Sequence, residues 1–342
     1  MIGNMKLEEL GFNSWFEQKS KEKPKEGFSL ARVSAVDKGY FMIMGEHGEL
    51  KAQVIGKFRH GAGAGGEAFP TVGDWVYAVY DNNNTTAGID SVFPRRTVLK
   101  RKIAGTRVEY QLIGANIDTV CVMQSLDENF NIRRLERFLA AIYENEIEPL
   151  ILLSKSDVMA AEKTQKHISD IKQHYPDSRV LPFSSVSGEG LADVENIFKP
   201  GQTYCLVGSS GVGKTTLINK LLGEELYATK EVTERGSQGR HTTTRRQLIK
   251  LKNGALIIDS PGIREWGNIA IESGLQESFA DIDKLSQECR FRDCSHTREP
   301  GCAVIAAVES RILAPKRLKN YLKLRNEARN RFGSGNDKKD FR

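Results

Sequence analysis

The sequence predicts a multidomain α/β protein: a small N-terminal β-barrel, an α/β domain with a mostly parallel sheet, and a helical C-terminal module carrying clustered cysteines. Three observations carry this. Phe28 to about Lys102 holds short strand-like runs (FSLARVSAVD, GYFMIMGEHG, ELKAQVIG, DWVYAVYD, GIDSVF) parted by turn-rich spacers such as HGAGAGGE and DNNNTTAG. From Ile117, apolar strands (TVCVMQSL, EPLILLS, TYCLVG, ALIID) alternate with helical segments such as NIRRLERFLAAIYEN and TTLINKLLG, as in a parallel sheet with helices on both faces. Beyond about Gly274 the chain turns helical and charged, and three of its five cysteines crowd between Cys289 and Cys302. The expected division is an extension at 1–27, a barrel at 28–103, the α/β domain at 104–274 and the cysteine module with a basic tail at 275–342.

Composition supports several folded modules. A chain of 342 residues is long for one core and right for two or three domains. With 39% hydrophobic and 27% charged residues it is neither disordered nor fibrous in class. No run approaches the roughly 18 to 20 apolar residues a membrane helix needs, and MIGNMKLEELGFNSW lacks a signal-peptide core. A soluble, cytoplasmic protein without membrane contact is expected. Cys121 and Cys205 lie in apolar strands and read as core residues; an odd, clustered set of cysteines fits an intracellular metal site better than a disulfide framework.

For the barrel, strand spacing fits an OB-type fold, a frequent carrier of RNA contacts, although periodicity does not separate it from an SH3-like one. The loop KFRHGAGAGG joins Lys57, Arg59 and His60 to backbone freedom, suited to phosphate or to plain mobility. A net charge of +6 is unevenly spread: Ser91 to Val108 holds Arg95, Arg96, Lys100, Arg101, Lys102 and Arg107 without an acid. That run reads as a polyanion surface or as a solvated linker.

The strongest motif is Gly208-Ser209-Ser210-Gly211-Val212-Gly213-Lys214-Thr215, followed by Thr216, between the strand TYCLVG and the helix TTLINKLLG. It satisfies G-x-x-x-x-G-K-[ST]: glycines let backbone N–H groups curl around phosphates at a helix N-terminus, Lys214 reaches the outer phosphates, and the Thr215 hydroxyl can ligate Mg2+. Base identity comes from Ser154-Lys155-Ser156-Asp157 after the strand PLILL. A carboxylate at 157 accepts from both N1–H and the N2 amino group of guanine, a donor pair adenine lacks, and would be left unpaired against adenine. Ser154 stands where Asn or Thr is usual, which weakens a supporting hydrogen bond. Ser184-Ser185 follows VLPF and resembles the short box that supports the base through its backbone.

Asp259-Ser-Pro-Gly262 closes ALIID and matches D-x-x-G, whose Asp holds Mg2+ through water and whose Gly N–H meets the γ-phosphate. Between it and the P-loop, GRHTTTRR offers Thr243 or Thr244 as the γ-phosphate-sensing threonine. The order is thus base box, base support, P-loop, switch I, switch II, a circular permutation of the usual GTPase order that keeps every spatial neighbour. It sets switch II directly before the cysteine module, so nucleotide state can be passed to that module. There, Cys289, Cys294, His296 and Cys302 make a complete tetrahedral set for one structural Zn2+.

The segments LEELGFNSWF, PRRTVLKRK, GSSGVGKTT, GRHTTT, DSPGIREWG and CRFRDCSHTREPGC, spread over nearly the whole chain, resemble the YjeQ/YloQ family, the ribosome small-subunit-dependent GTPases A (RsgA). The resemblance implies an N-terminal OB-fold barrel, a circularly permuted P-loop GTPase domain and a C-terminal helical zinc-binding module. It further implies a GTP hydrolase, GTP- and GDP-binding, that acts on the 30S subunit late in its maturation, with barrel and zinc module gripping 16S rRNA. A monomer is expected.

Where Ras-like enzymes place a water-orienting glutamine after D-x-x-G, this chain has Ile263. Catalysis then rests on Lys214 for charge and on His241, a group supplied by the ribosome, or both; slow intrinsic turnover, stimulation by the subunit and release after hydrolysis are expected. Gly211 in place of a P-loop Asn argues against a potassium-assisted mechanism. The rival classes are an RNA-binding module that uses nucleotide only as a ligand, and a P-loop kinase or ATPase. The magnesium and phosphate set argues against the first; Asp157 with Ser184-Ser185 argues against the second.

Overall fold

The computed structural model describes residues 6–22, 25–56, 69–102, 110–209, 211–224, 246–259, 279–315, 317–322 and 325. The first part is a five-stranded barrel of β1 (Ser29–Asp37), β2 (Tyr40–Gly45), β3 (Gly48–Val54), β4 (Trp75–Tyr80) and β5 (Thr86–Val92). The strands run in the order β1-β2-β3-β5-β4, and β4 returns to β1 to close it. Only β3 and β5 pair in parallel. This is the OB-type order expected. Alternating side chains fill it: Ala31, Val33, Ile43, Val76, Ala78 and Ile89 point into one buried cluster, the period of two that a pleated strand imposes.

β1 joins the barrel to the α/β strands in one continuous 11-stranded sheet. Its first half pairs with β4, Ser29 to Arg32, and a bulge falls between Val33 and Ala35. Beyond it Ala35 and Val36 pair with Gln247 and Arg246 of β12 (Arg246–Lys250). A bulge bends and twists its strand, which lets β1 leave the barrel wall and pair with the edge of the α/β strands. Ser34, at the bulge, is buried and donates to Glu49 Oε1 at 2.6 Å.

The extension at the N-terminus is folded as well. Residues Leu7–Leu10 form a 3₁₀ turn and Ser14–Glu22 a helix, α1. Leu10, Phe12 and Phe16 pack with Met44, Trp75 and Phe93 in an aromatic cluster, Phe12 meeting Trp75 edge to face at 5.0 Å between ring centroids.

A hairpin of β6 (Val98–Lys102) and β7 (Tyr110–Ala115) follows, and the expected division after residue 103 falls between its strands. Leu99 and Ile113 are buried with Val120, Leu135 and Ile258 in the core of the α/β part. That part holds β8 (Thr119–Ser125), α2 (Ile132–Glu144), β9 (Glu148–Ser154), α3 (Ala161–His174), β10 (Arg179–Pro182), α4 (Leu191–Glu195), β11 (Thr203–Val207), α5 (Lys214–Leu222), β12 and β13 (Leu256–Asp259). Its order is β10-β9-β8-β11-β13-β12, parallel throughout except for β12. α2 and α3 bury Leu135, Phe138, Leu139 and Ile171 against one face, α4 and α5 bury Val194, Leu217, Ile218 and Leu222 against the other. Cys121 and Cys205 are fully buried in this sheet, and burial pushes both thiols far up.

The C-terminal part packs α6 (Ala280–Ser286), α7 (Ala303–Glu309) and helical residues 317–322 around Phe279, Ile282, Val304 and Leu313. No helix among the described residues is long and apolar enough to cross a membrane.

Candidate functional site

Successive strands β8, β9 and β10 step outward on one side of the sheet, and β11 crosses back to the other side of β8. In open α/β sheets, ligands bind beyond the carboxyl ends of the strands where the winding reverses, which here is between β8 and β11. The expected residues gather at that edge. Gly208 follows β11, Ser154 ends β9, Ser184 follows β10 and Asp259 ends β13.

The loop after β11 is tightly built. Gly208 has φ 151°, and a Cβ there would lie 2.5 Å from the Met123 carbonyl oxygen, so only glycine fits. Gly213, at φ 92°, caps α5 in the left-handed region and aims the N-terminus of a nine-residue helix at the loop. Lys214 reaches back across the loop and donates to the carbonyls of Gly208 and Ser209, both at 2.8 Å. Its ammonium therefore waits over the cradle. Gly211 is exposed, Val212 is buried beneath the loop, and Thr215 and Thr216 stand half-buried in the first turn of α5.

Ser154 joins the base box to this cradle. Its hydroxyl donates at 2.7 Å to the Val212 carbonyl oxygen, with Gln124 O at 3.3 Å. The smaller side chain was expected to weaken a supporting bond; buried between β8 and the loop, it makes that bond directly. Lys155 follows at φ 59°, a sharp turn that leaves Asp157 exposed at the rim in a short 3₁₀ turn, Ser156–Val158. Phe183 N donates to Leu153 O and Ser156 N to Phe183 O, which sets the Ser184-Ser185 loop beside the base box. The fully buried Ser184 hydroxyl accepts from the amides of Val186 and Ser187 at 3.1 and 3.0 Å and holds that loop in shape. Ser156 Oγ and Ser209 Oγ are buried and meet no hydrogen-bond partner among the described residues, the state of polar groups that a ligand satisfies.

Ser210, His241, Thr243, Thr244, Gly262 and Ile263 lie outside the described residues, as do the KFRHGAGAGG loop and Arg107. Of the basic run, Arg95 is committed inside the molecule: Nε and Nη2 each donate at 2.7 Å to the buried Asp74 carboxylate. Arg96 pairs with Asp118, and Lys100 lies over the Tyr110 ring at 4.6 Å. Neither reading of the run, polyanion surface or solvated linker, foresaw the buried partner of Arg95. Asp127 was missed at the sequence level. It follows β8 and receives the Lys155 ammonium at 2.9 Å; the only trace in the sequence is an acid after an apolar strand, SLD, with its partner 28 residues on.

The second site is the cysteine cluster. The Cys289, Cys294 and Cys302 sulfurs and a His296 ring nitrogen all lie within 4.8 Å of one another. Cys289 Sγ is 3.8 Å from Cys302 Sγ, and His296 Nδ1 is 3.6 and 3.4 Å from these two sulfurs. A tetrahedral cation with metal–sulfur bonds of about 2.3 Å and a metal–nitrogen bond of about 2.05 Å has edges of about 3.8 and 3.6 Å. The donors are thus spaced for one metal ion, bound through Nδ1.

The surroundings favour ligation. Burial opposes ionisation of Cys289, but the Val304 and Ala303 amides outweigh it and hold its pKa below the usual thiol value. Burial, then the nearby Arg325 guanidinium, lowers His296 below its usual value and keeps the imidazole neutral, the form that binds metal. Glu299 accepts from the amides of Ser295, Thr297 and Arg298, and Arg325 donates to Ser295 O, so the loop is held from both sides.

Comparisons with known proteins agree with this layout. The family model of the RsgA GTPase matches residues 92–269. The chain is 41% identical to the small ribosomal subunit biogenesis GTPase RsgA 2 of Lactiplantibacillus plantarum, over 88% of this chain and 84% of that one. It is 38% identical to the small ribosomal subunit biogenesis GTPase RsgA of Opitutus terrae, over 94% and 90%. The crystal structure of YjeQ from Thermotoga maritima has the same fold, with a TM-score of 0.65 at 24% identity, over 88% of this chain and 98% of that one. So does YloQ, a circularly permuted GTPase, with 0.63 at 24% over 90% and 98%.

Proposed function

This chain belongs to the RsgA GTPase family, and on that premise we propose that it is a cytoplasmic hydrolase that converts GTP to GDP and phosphate in late assembly of the 30S ribosomal subunit. The observation that carries the reading is the Ser154 to Val212 hydrogen bond, which ties a guanine-reading box to a phosphate cradle in a chain whose motifs run in permuted order. Relatives named for small-subunit biogenesis support the partner.

Each side chain has a task in that reading. Asp157 accepts from N1–H and the N2 amino group of guanine, and the Ser184-Ser185 backbone backs the base. Gly208 to Gly213, with Ser209, Ser210, Gly211 and Val212 between them, present backbone N–H groups to the phosphates. Lys214 leaves the Gly208 and Ser209 carbonyls for the phosphate oxygens and compensates the charge that builds in the transition state. Thr215, with Thr216 beside it, and Asp259 stand on neighbouring elements at one end of the sheet and would hold Mg2+, which neutralises phosphate charge when bound. Gly262 and one of Thr243 and Thr244 sense the γ-phosphate. With Ile263 unable to orient water, His241 or a group of the ribosome positions it.

In the C-terminal module three thiolates and an imidazole leave no coordination position open, which fits structural zinc. Its role is to shape a surface that meets 16S rRNA, in a module that follows switch II in the chain. The division at 28–103, 104–274 and 275–342 assigns reading of rRNA to the outer parts and chemistry to the middle one. A monomer suffices, since every motif of the site comes from one chain.

Competition binding and phosphate release test this. GTP and GDP should displace a fluorescent guanine nucleotide while ATP does not, and 30S subunits should accelerate multiple-turnover phosphate release by several orders of magnitude. Equal binding of ATP and GTP would remove the base assignment; an unchanged rate with 30S subunits would point to another partner.

A further inference from the structure

We propose that Asp127 is a positioning residue for guanine-nucleotide binding: it holds the Lys155 ammonium in place before the nucleotide arrives. The inference rests on the reading of residues 154–157 as the base box and names a residue that reading does not include.

The geometry begins in the sheet. β8 and β9 run in parallel with Ser125 opposite Ser154 at their carboxyl ends, so the residues that follow each strand leave the sheet side by side. Lys155 turns at once into the left-handed region, at φ 59°. Left-handed backbone is uncommon for a residue with a side chain, and here the side chain turns toward the end of β8. There its ammonium meets Asp127 Oδ2 at 2.9 Å.

Asp127 is itself fixed. Its Oδ1 accepts from the Ser125 hydroxyl at 2.6 Å and from the Asn129 amide at 2.9 Å. One carboxylate oxygen is therefore spent on holding the loop and the other on the lysine. Burial would raise the pKa of Asp127, but the Lys155 ammonium, the Ser125 hydroxyl and the Asn129 amide together outweigh it and keep the acid below its usual range. The carboxylate stays charged at neutral pH.

The pair is partly open to water, with side-chain exposures of 39% for Lys155 and 23% for Asp127. Exposed ion pairs contribute little to folding, so stability does not explain the arrangement. A lysine, however, has many rotamers, and immobilising such a side chain on binding has a cost that preorganisation removes. Held by Asp127 while Ser154 grips the phosphate loop, Lys155 meets a nucleotide already in its bound rotamer. Removal of Asp127 should then weaken binding and spare turnover once nucleotide is bound.

The experiment uses the full chain with GDP and GTP as probes. In Asp127→Ala the KM for GTP and the Kd for GDP should rise by about two- to tenfold, from the cost of ordering one long side chain, with kcat at saturation unchanged. Asp127→Glu, which keeps the charge, should recover part of the affinity. A double-mutant cycle with Lys155→Ala should be non-additive, the loss from Asp127→Ala vanishing where the lysine is already gone. The melting temperature without nucleotide separates a folding defect from this effect, since Asp127→Ala should leave it nearly unaltered.

Unchanged KM and Kd in Asp127→Ala, or additive losses in the cycle, overturn the proposal. So does a fall in kcat without a change in KM. If the unsubstituted chain binds no guanine nucleotide, the base-box reading fails, and this inference fails with it. If that chain binds normally and Asp127→Ala matches it, only the inference fails.

Discussion

Two buried arginines hold the outer parts of the molecule to its α/β centre, and they do so by opposite means. Arg32 in β1 is 1% exposed, and its hydrogen bonds among the described residues go to neutral groups. It donates to the carbonyls of Gly73 and Asn116, each at 3.2 Å, to the Leu10 carbonyl, and to the Thr203 hydroxyl at 2.8 Å. Those four oxygens come from the barrel, the N-terminal turn, the segment after β7 and the first residue of β11. Arg317, at 2%, is held by acids: Glu136 of α2 at 3.0 Å and Asp281 of α6 at 2.6 and 2.7 Å. Asn320 donates to the other Glu136 oxygen at 2.8 Å, and the guanidinium stacks near Phe279 and Tyr175.

Charge balance follows the partners. Burial lowers the pKa of Arg32 to about 10, and the more distant Asp118 and Asp74 only partly offset it. Burial also works against Arg317, yet its hydrogen bonds to Asp281 reverse the sign and raise it. Neutral dipoles fix the barrel; ionised carboxylates fix the cysteine module. Beside Arg32 the backbone leaves no slack. Gly73 sits at φ 88°, and a Cβ there would lie 2.2 Å from the Ala115 carbonyl oxygen, so the barrel wall and the end of β7 meet in direct backbone contact.

The largest expected difference between the two ends comes from the zinc proposed for the cysteine cluster. Structural zinc sites contribute about 10 kcal/mol or more to folding, so chelation should expose the backbone amides of α6 and α7 to hydrogen exchange while β1 and β2 stay protected. Equal exposure of both ends would mean that the junctions are coupled.

Next are the arginines themselves. Arg317→Met leaves a buried carboxylate without its charge partner, an effect of about 3–5 kcal/mol. Arg32→Met leaves several buried oxygens without a donor, about 2–4 kcal/mol. Calorimetry should show the first as early loss of the C-terminal module and the second as loss of cooperativity between barrel and centre. Replacing Arg317, Glu136 and Asp281 together by Met, Gln and Asn should recover stability relative to Arg317→Met alone, because removing a whole ionic group costs less than breaking it. No such rescue is open to Arg32, whose partners are mostly main chain.

The smallest effect is one of pH. Burial first, then the Arg317 guanidinium, holds His174 below its usual 6.5. A histidine lowered in the docked state contributes stability that is full above about 6.5 and is lost as pH falls through its lowered value. Glu136, raised by burial, acts in the other direction at more acidic pH. Between pH 7.5 and 5.5 the protection factors of the α6 and α7 amides, taken relative to the pH-dependent rate of unprotected amides, should therefore fall, His174→Gln should flatten that fall, and the protection factors around Arg32 should hold.

Much of the site was legible in the sequence because each motif is local: a buried strand, a turn and, for the phosphate loop, a helix. Gly208 to Thr215 and Ser154 to Asp157 can be placed at strand ends without knowing the partners of those strands. The cysteine cluster was legible for the same reason, with all four donors between 289 and 302. The two arginines were not. Arg32 and Thr203 are 171 residues apart, Arg317 and Glu136 181, and nothing near a buried arginine marks it as different from a solvated one. Arg95 shows the same limit, since a basic run hides the fact that Asp74 already holds one of its members. The folded state of the N-terminal turn and helix was also hidden, because Leu10, Phe12 and Phe16 find their cover only on the barrel.

The short pairing of β1 with β12 bears on how the protein behaves at high concentration. An uncovered outer strand offers free N–H and C=O groups to any other chain and is a seed for aggregation. The barrel has closed upon itself, and the bulged half of β1 shields β12 at one margin of the central sheet. The opposite margin is β10, four residues from Arg179 to Pro182. A strand that brief, opening with a charge and ending in a residue that has no N–H to offer, is a poor template for a neighbour. Intermolecular sheet growth is thus discouraged at both margins of the central sheet, at one by the barrel and at the other by brevity and proline.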